Sequence, residues 1–227
     1  MMKESVDLRI DFPSKIATML LQDEIDVGLV PVAIIPEMKE HHIISDYCIS
    51  CDGEVASVCL FSDVPLHKIE RILLDYQSRT SVELLKILIK QHWKIDPLLE
   101  ATLGEYQSSI CGTTAALVIG DRALIQRKIS PYIYDLGLDW KKFTNLPFVF
   151  AAWISNKKLD NDFINSFNET NSAGLGKIET VVKANPFSKF DLNAYYTKYI
   201  SFQLNDAKQE ALRLFLQKVS AGSLLVG

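Results

Sequence analysis

The residues best suited to chemistry stand together in Asp75-Tyr76-Gln77-Ser78-Arg79-Thr80-Ser81. An apolar run over residues 69–74 leads into this stretch, and Val82, Leu85 and Ile89 follow it on one helical face with Lys86 and Lys90 opposite. The stretch is therefore a turn between a buried strand and an amphipathic helix. Backbone N–H groups at a helix start have no partner within the helix and lie at the positive end of its dipole. The Ser78, Thr80 and Ser81 hydroxyls and the Arg79 fork converge on the same place, so a carboxylate or phosphate could be held there. Thr80 with Glu83 suits a capping box; a helix started a turn earlier by Ser78 is the alternative. An ordinary capped helix whose arginine faces solvent is the alternative.

Two further strand exits are placed to join it: Val30-Pro31, and Gly120-Asp121 after the apolar run 115–119. Ligands of α/β proteins bind beyond the carboxyl ends of strands, so the three exits form the candidate site. His41, His42, His67 and His92 lie outside all three and read as surface or helix-end residues.

Positioning these exits takes an α/β fold. Val6, Leu8, Ile10 and Phe12 alternate with Asp7, Arg9 and Asp11, the period of a strand with one buried face. Pro13-Ser14 opens a helix with Ile16, Met19 and Leu20 on one side, Asp23-Glu24 closes it, and Asp26-Val27-Gly28-Leu29-Val30-Pro31-Val32 is a buried strand ending at Pro31. Strand, helix and strand within about 30 residues imply a right-handed parallel crossover. Residues 45–50 and 55–61 predict two strands around the turn at Asp52-Gly53. Residues 113–120 predict a buried strand with a tight exit, 132–136 a short strand, 139–143 a helical turn, and 148–154 a strand buried on both faces. From Asp160 onward the period is helical, ending with Leu212, Phe215, Leu216 and Val219 on one side. Such alternation argues for an α/β protein with parallel or mixed sheets, and the sequence holds no repeat, low-complexity tract or flexible linker.

A chain of 227 residues suits one large domain or two lobes of about 100 residues with a cleft between them. With 48% hydrophobic and 23% charged residues and a net charge of -4 it is ordinarily globular. A pI near 5.6 without a basic run argues against nucleic acid, so an anionic ligand needs a local positive pocket. Residues 1–12 have no apolar core of signal-peptide length, and no stretch approaches the ~20 apolar residues of a membrane span. These features predict a cytoplasmic protein that does not enter the membrane. Cys48, Cys51, Cys59 and Cys111 are then reduced and structural; the Cys48/Cys51 pair has neither the second pair of a zinc site nor a thioredoxin-like context.

With these segments placed, the chain resembles the chorismate dehydratases of the futalosine route to menaquinone, which have the two-lobed fold of type 2 periplasmic binding proteins. The resemblance rests on Asp26-Val27-Gly28-Leu29-Val30-Pro31-Val32, Ser45-Asp46-Tyr47-Cys48-Ile49, Gly53-Glu54-Val55-Ala56-Ser57-Val58, Leu74-Asp75-Tyr76-Gln77-Ser78-Arg79-Thr80-Ser81, Val118-Ile119-Gly120-Asp121-Arg122-Ala123-Leu124 and Leu146-Pro147-Phe148-Val149-Phe150-Ala151. These run in the family's order to about Asn156; the helical tail is less diagnostic. The implied division is discontinuous: residues 1–66 and 147–227 in lobe 1, residues 67–146 in lobe 2, and the ligand between them. The implied reaction removes water from chorismate to give 3-[(1-carboxyvinyl)oxy]benzoate, with no metal or organic cofactor and a small anionic substrate as the partner; it is compatible with an oligomer.

On that resemblance Arg79 and the helix start would hold the ring carboxylate, which activates the departing ring proton through the conjugated system. Ser57 or Ser81 would take the second carboxylate, and Val30, Pro31, Ser78, Thr80, Gly120 and Phe148 would complete the binding set. Asp121 would be the general base or steer the departing hydroxyl; an Asp capping its own turn and the substrate's own enolpyruvyl carboxylate are the alternatives. Family members usually begin with a buried strand and a Tyr-x-Asn-x-x-Pro-like turn that reaches the cleft. No such segment stands ahead of Val6, so residues 6–12 would match the family's second strand; either the true start lies upstream or activity is compromised. Sister lyases acting on a cyclic futalosine derivative share the fold but carry a catalytic histidine where this chain has Gly120. A solute-binding protein for a small organic anion is the alternative of another class.

Overall fold

In the computed structural model, which describes residues 6–223, the apolar runs sort into two sheets. The first has the order β1-β8-β2-β9, comprising β1 (Val27–Pro31), β2 (His42–Cys51), β8 (Phe148–Ser155) and β9 (Ser201–Gln203), every pair antiparallel. The second has the order β5-β4-β6-β3-β7, comprising β3 (Val58–Ser62), β4 (Arg71–Leu74), β5 (Leu98–Ala101), β6 (Thr114–Ile119) and β7 (Tyr132–Asp135). Here β4 runs parallel to β5 and β6, whereas β3 is antiparallel to β6 and β7. The helices are α1 (Pro13–Leu21), α2 (Arg79–Ile87), α3 (Asp121–Gln126), α4 (Leu136–Thr144), α5 (Asn161–Leu175), α6 (Ile178–Ala184), α7 (Leu192–Ala194) and α8 (Asp206–Ser223). The result is the two-lobed α/β fold that the motifs implied.

Both chain crossings between the sheets are tied down. In the first, the buried Asp135 carboxylate accepts from the backbone of Ala56 (2.8 Å) and Val55 (3.1 Å), and also caps α4 by accepting from Leu138 N–H (3.0 Å). Arg127 reinforces the crossing by pairing with Glu54 at 2.5 Å. In the second, the fully buried Trp140 donates its indole N–H to the Pro147 carbonyl (3.0 Å) and packs edge-on against Phe148 and Phe215. An indole buried with its one donor satisfied combines large apolar burial with no polar penalty.

Four sequence expectations are corrected. Residues 6–12 form no strand, and Leu8, Ile10 and Phe12 are exposed. Alternation specifies an apolar face, but a strand also needs a neighbour to supply N–H and C=O partners. The parallel crossover through α1 is accordingly not formed among the described residues; β1 lies at a sheet edge, antiparallel to β8. Strands β2 and β3 do not make a hairpin, because the chain changes sheets between them, helped by Gly53 at φ 119° and Ala56 at φ 62°. That change moves the lobe boundary as well: residues 58–62, assigned from the sequence to lobe 1, pair into the second sheet. Residues 1–5 and 224–227, which the same division places in lobe 1, lie outside the described residues.

Candidate active site

The start of α2 is built by Ser78. Its hydroxyl oxygen accepts from Ser81 N–H (3.1 Å) and the two side-chain hydroxyls are 2.7 Å apart, so Ser78 is the cap. Thr80 is not: it is buried, and its hydroxyl oxygen accepts from Ala33 N–H across the seam (3.2 Å). Glu83, left without a capping role, binds Lys86 instead (2.7 Å). The Thr80 bond fastens the segment after β1 to α2. Val30 is wholly buried in the core and Pro31 is buried too, so this exit meets the seam through Ala33 rather than through the two residues expected.

Arg79 points outward. Its guanidinium reaches Glu37 at 3.1 Å, with both side chains well exposed. The inward arginine is Arg122, on α3, whose Nη2 donates to Asp75 (2.7 Å) and to the Gln77 side-chain oxygen (2.9 Å). Asp75 is 3% exposed and fully engaged, accepting also from Gln77 N–H (2.8 Å) and Ile119 N–H (3.3 Å) and lying 2.5 Å from the Tyr106 hydroxyl. The guanidinium of Arg122 lies over the Tyr76 and Tyr106 rings, 5.4 and 5.8 Å from their centroids. Burial, and then the Asp75 charge, push the Tyr106 phenol up, so it stays a donor. A buried carboxylate with this many donors is a rivet between the exits of β4 and β6 rather than a free acid or base. Sequence reasoning missed Tyr106, which stands in a polar stretch with no periodic signal. Asp75 and Arg122 did carry one: opposite charges at two exits already assigned to one site.

At the β6 exit, Gly120 takes φ 65°, ψ −147°, a conformation that glycine adopts without strain, and its N–H donates to the Ser57 carbonyl (2.8 Å). Asp121 follows as the exposed first residue of α3. The Ser57 hydroxyl meets the Tyr195 hydroxyl at 2.8 Å. Burial foremost, with a smaller contribution from the Asp121 charge, pushes the Tyr195 phenol up to about 12. Tyr195 went unnoticed in the sequence because its neighbourhood, Tyr195-Tyr196-Thr197-Lys198-Tyr199, reads as an ordinary helical tail. Phe148 faces the core, packed among Trp140, Phe150 and Phe215, and does not reach the seam.

A groove of about 680 Å³ opens beside the seam, lined by Ala33, Pro36 and Glu37 on one side and Asp75, Tyr76, Ser78 and Arg79 on the other. It continues along α2 past Val82 and Lys86, and beyond the helix past Lys90 to Lys218. Ser57, Gly120 and Asp121 do not line it. The predicted residues thus fall in two groups, Ser78 and Arg79 at the groove and Ser57, Gly120 and Asp121 at the seam, joined through Asp75, Tyr76 and Arg122. Among the described residues no cluster of three or more His, Cys, Asp or Glu side chains is placed to hold a metal, and no helix is long and apolar enough to cross a membrane.

This geometry has relatives. Residues 1–221 match a family described as menaquinone biosynthesis. A chorismate dehydratase of Thermus thermophilus is 28% identical over 192 residues, which cover 76% of this chain and 70% of that one. Among solved structures, a protein of Archaeoglobus fulgidus superposes with a TM-score of 0.69 at 13% identity, covering 96% of this chain and 87% of the other. The alkanesulfonate-binding protein of Xanthomonas axonopodis pv. citri gives 0.53 at 11% identity, covering 96% and 80%. The structural likenesses establish the binding-protein-like fold, and the match over residues 1–221 establishes descent: this chain belongs to the menaquinone biosynthesis family.

Proposed function

We propose that the chain is a hydro-lyase that dehydrates chorismate to 3-[(1-carboxyvinyl)oxy]benzoate and water, in the cytoplasm and without a cofactor. The observation that carries this is the similarity to the Thermus chorismate dehydratase over 76% of the chain, supported by the three strand exits, which here meet at one seam. Two carboxylates on a small substrate call for two groups of donors, and two such groups are present. The start of α2, with the Ser78 and Ser81 hydroxyls and Arg79 at its edge, takes the ring carboxylate; Ser57 takes the carboxylate of the enolpyruvyl arm. Charge that develops as the ring proton leaves is delocalised onto the ring carboxylate, so its donors stabilise the transition state as well as the bound substrate. Hydroxide then departs from the neighbouring ring carbon with that proton's equivalent, as water, and the ring becomes aromatic. Asp121, exposed at the seam, is the protein's candidate base, and the enolpyruvyl carboxylate held by Ser57 is the substrate's own.

Incubation of the purified chain with chorismate tests the proposal. A new aromatic absorbance with a mass loss of one water supports it, and its absence at micromolar enzyme overturns it. Tight binding of chorismate without turnover would favour an anion receptor, the role named for the alkanesulfonate-binding neighbour. An unchanged rate in Asp121→Asn assigns proton removal to the substrate carboxylate.

A further inference from the structure

We propose that Tyr195 is the positioning residue for Ser57, holding its hydroxyl from the first lobe so that its proton is free for a substrate carboxylate; the substrate named here rests on the dehydratase reading above. Ser57 is gripped from two sides. Its backbone carbonyl accepts from Gly120 N–H at the end of the second sheet, whereas its side chain meets a tyrosine whose chain segment belongs to the first. Asp191 caps α7 by accepting from Ala194 N–H (3.1 Å), and a wide turn then runs from Tyr195 to Tyr199, closed by the Ile200 N–H donating to the Tyr195 carbonyl (3.0 Å). Directly afterwards β9 pairs with β2, with Ser201 opposite Ser50, so the turn is anchored to the first sheet. Wide π turns interrupt helices at a cost and recur where a side chain is aimed at a site.

The hydroxyl chemistry sets what each direction of the contact allows. A serine hydroxyl has one proton and two lone pairs, and Ser57, 4% exposed, has no other side-chain partner among the described contacts. Were Ser57 to donate to Tyr195, nothing would be left to offer an anion. At 2.8 Å either hydroxyl can give the proton; in the proposed bridge the half-buried Tyr195 phenol is the donor, which leaves Ser57 its own proton for the ligand. An anion entering the seam then supplies the second partner that the buried serine lacks.

Two measurements decide the proposal. In protein labelled with [13Cζ]tyrosine, the resonance lost in Tyr195→Phe identifies Tyr195, and Ser57→Ala should shift it; an unmoved resonance overturns the bridge whatever the substrate. In steady-state assays with chorismate, Tyr195→Phe should raise KM about tenfold with kcat changed less than about twofold and an unchanged Tm, and the Ser57→Ala/Tyr195→Phe pair should be no worse than Ser57→Ala alone. Additive losses would show that Tyr195 acts apart from Ser57 and overturn its positioning role. If the wild type does not turn over chorismate, the dehydratase reading falls and the substrate with it, whereas the tyrosine resonance still decides the bridge.

Discussion

Two arginines follow two strand exits, and the fold treats them oppositely. Arg79 opens α2 and reaches into solvent toward Glu37; Arg122, on α3, turns inward to Asp75 and Gln77 between two aromatic rings. Both have the same fork and both stand beside a helix N-terminus. What separates them is the partner. Asp75 is buried and already bonded to Tyr106 and to the backbone of Gln77 and Ile119, so it offers Arg122 a held counter-charge, and the arginine is absorbed into the scaffold. Glu37 is exposed and screened, so Arg79 remains exchangeable: a ligand carboxylate of better geometry can replace its partner at little cost. A residue available for binding is the one the scaffold has not used up.

The largest effect should come from the buried side of this contrast. Asp75→Ala strips the shared acceptor from Arg122, Tyr106, Gln77 and Ile119, and should lower unfolding stability by about 3–5 kcal/mol in a denaturant titration. A loss below about 1 kcal/mol would break the comparison, because Asp75 would then be no more structural than Glu37. Arg122→Ala leaves Asp75 its tyrosine and backbone donors, and should cost about 2 kcal/mol. Third, Gly120→Ala should cost about 1–2 kcal/mol through backbone strain alone. Nothing lies within 4 Å of the added methyl group, so a larger loss would mean that the exit itself moves.

The same contrast explains what could be read from the sequence. Local chemistry was legible: Pro13 at the start of α1, the exits of β4 and β6, and the buried β8 all follow from spacing and turn residues. Pairing was not. Residues 6–12 alternate as a strand does, yet register and partners belong to the sheet, and no neighbour among the described residues takes them up. Likewise, Asp52-Gly53 is a good hairpin turn by composition, but the Asp135 carboxylate more than 80 positions later pulls the following residues into another sheet. The site splits on the same line. Ser78 and Gly120 sit where their own neighbours in sequence put them, whereas Thr80, Phe148 and Arg79 are decided by Ala33, Trp140 and Glu37, and Ser57 is held by Gly120 and by Tyr195 across 138 positions.

The smallest effect on stability carries the sharpest test. Arg79→Ala removes only an exposed ion pair, so the stability change should stay within about 1 kcal/mol and fade further as salt rises. Its effect on chorismate should run the other way in size, with kcat/KM falling at least about tenfold, or about 1.4 kcal/mol, if the guanidinium leaves Glu37 for the ring carboxylate. Glu37→Gln then separates exchange from mere proximity. If Glu37 competes with the substrate for Arg79, the neutral amide should release the arginine and lower KM, a gain opposite in sign to the loss in Arg79→Ala. If instead Glu37 only holds Arg79 in place at the groove mouth, both substitutions should weaken binding together. Opposite signs establish Arg79 as the exchangeable arginine; equal signs move it to the same structural side as Arg122, and the helix start with its serines is left to hold the anion alone.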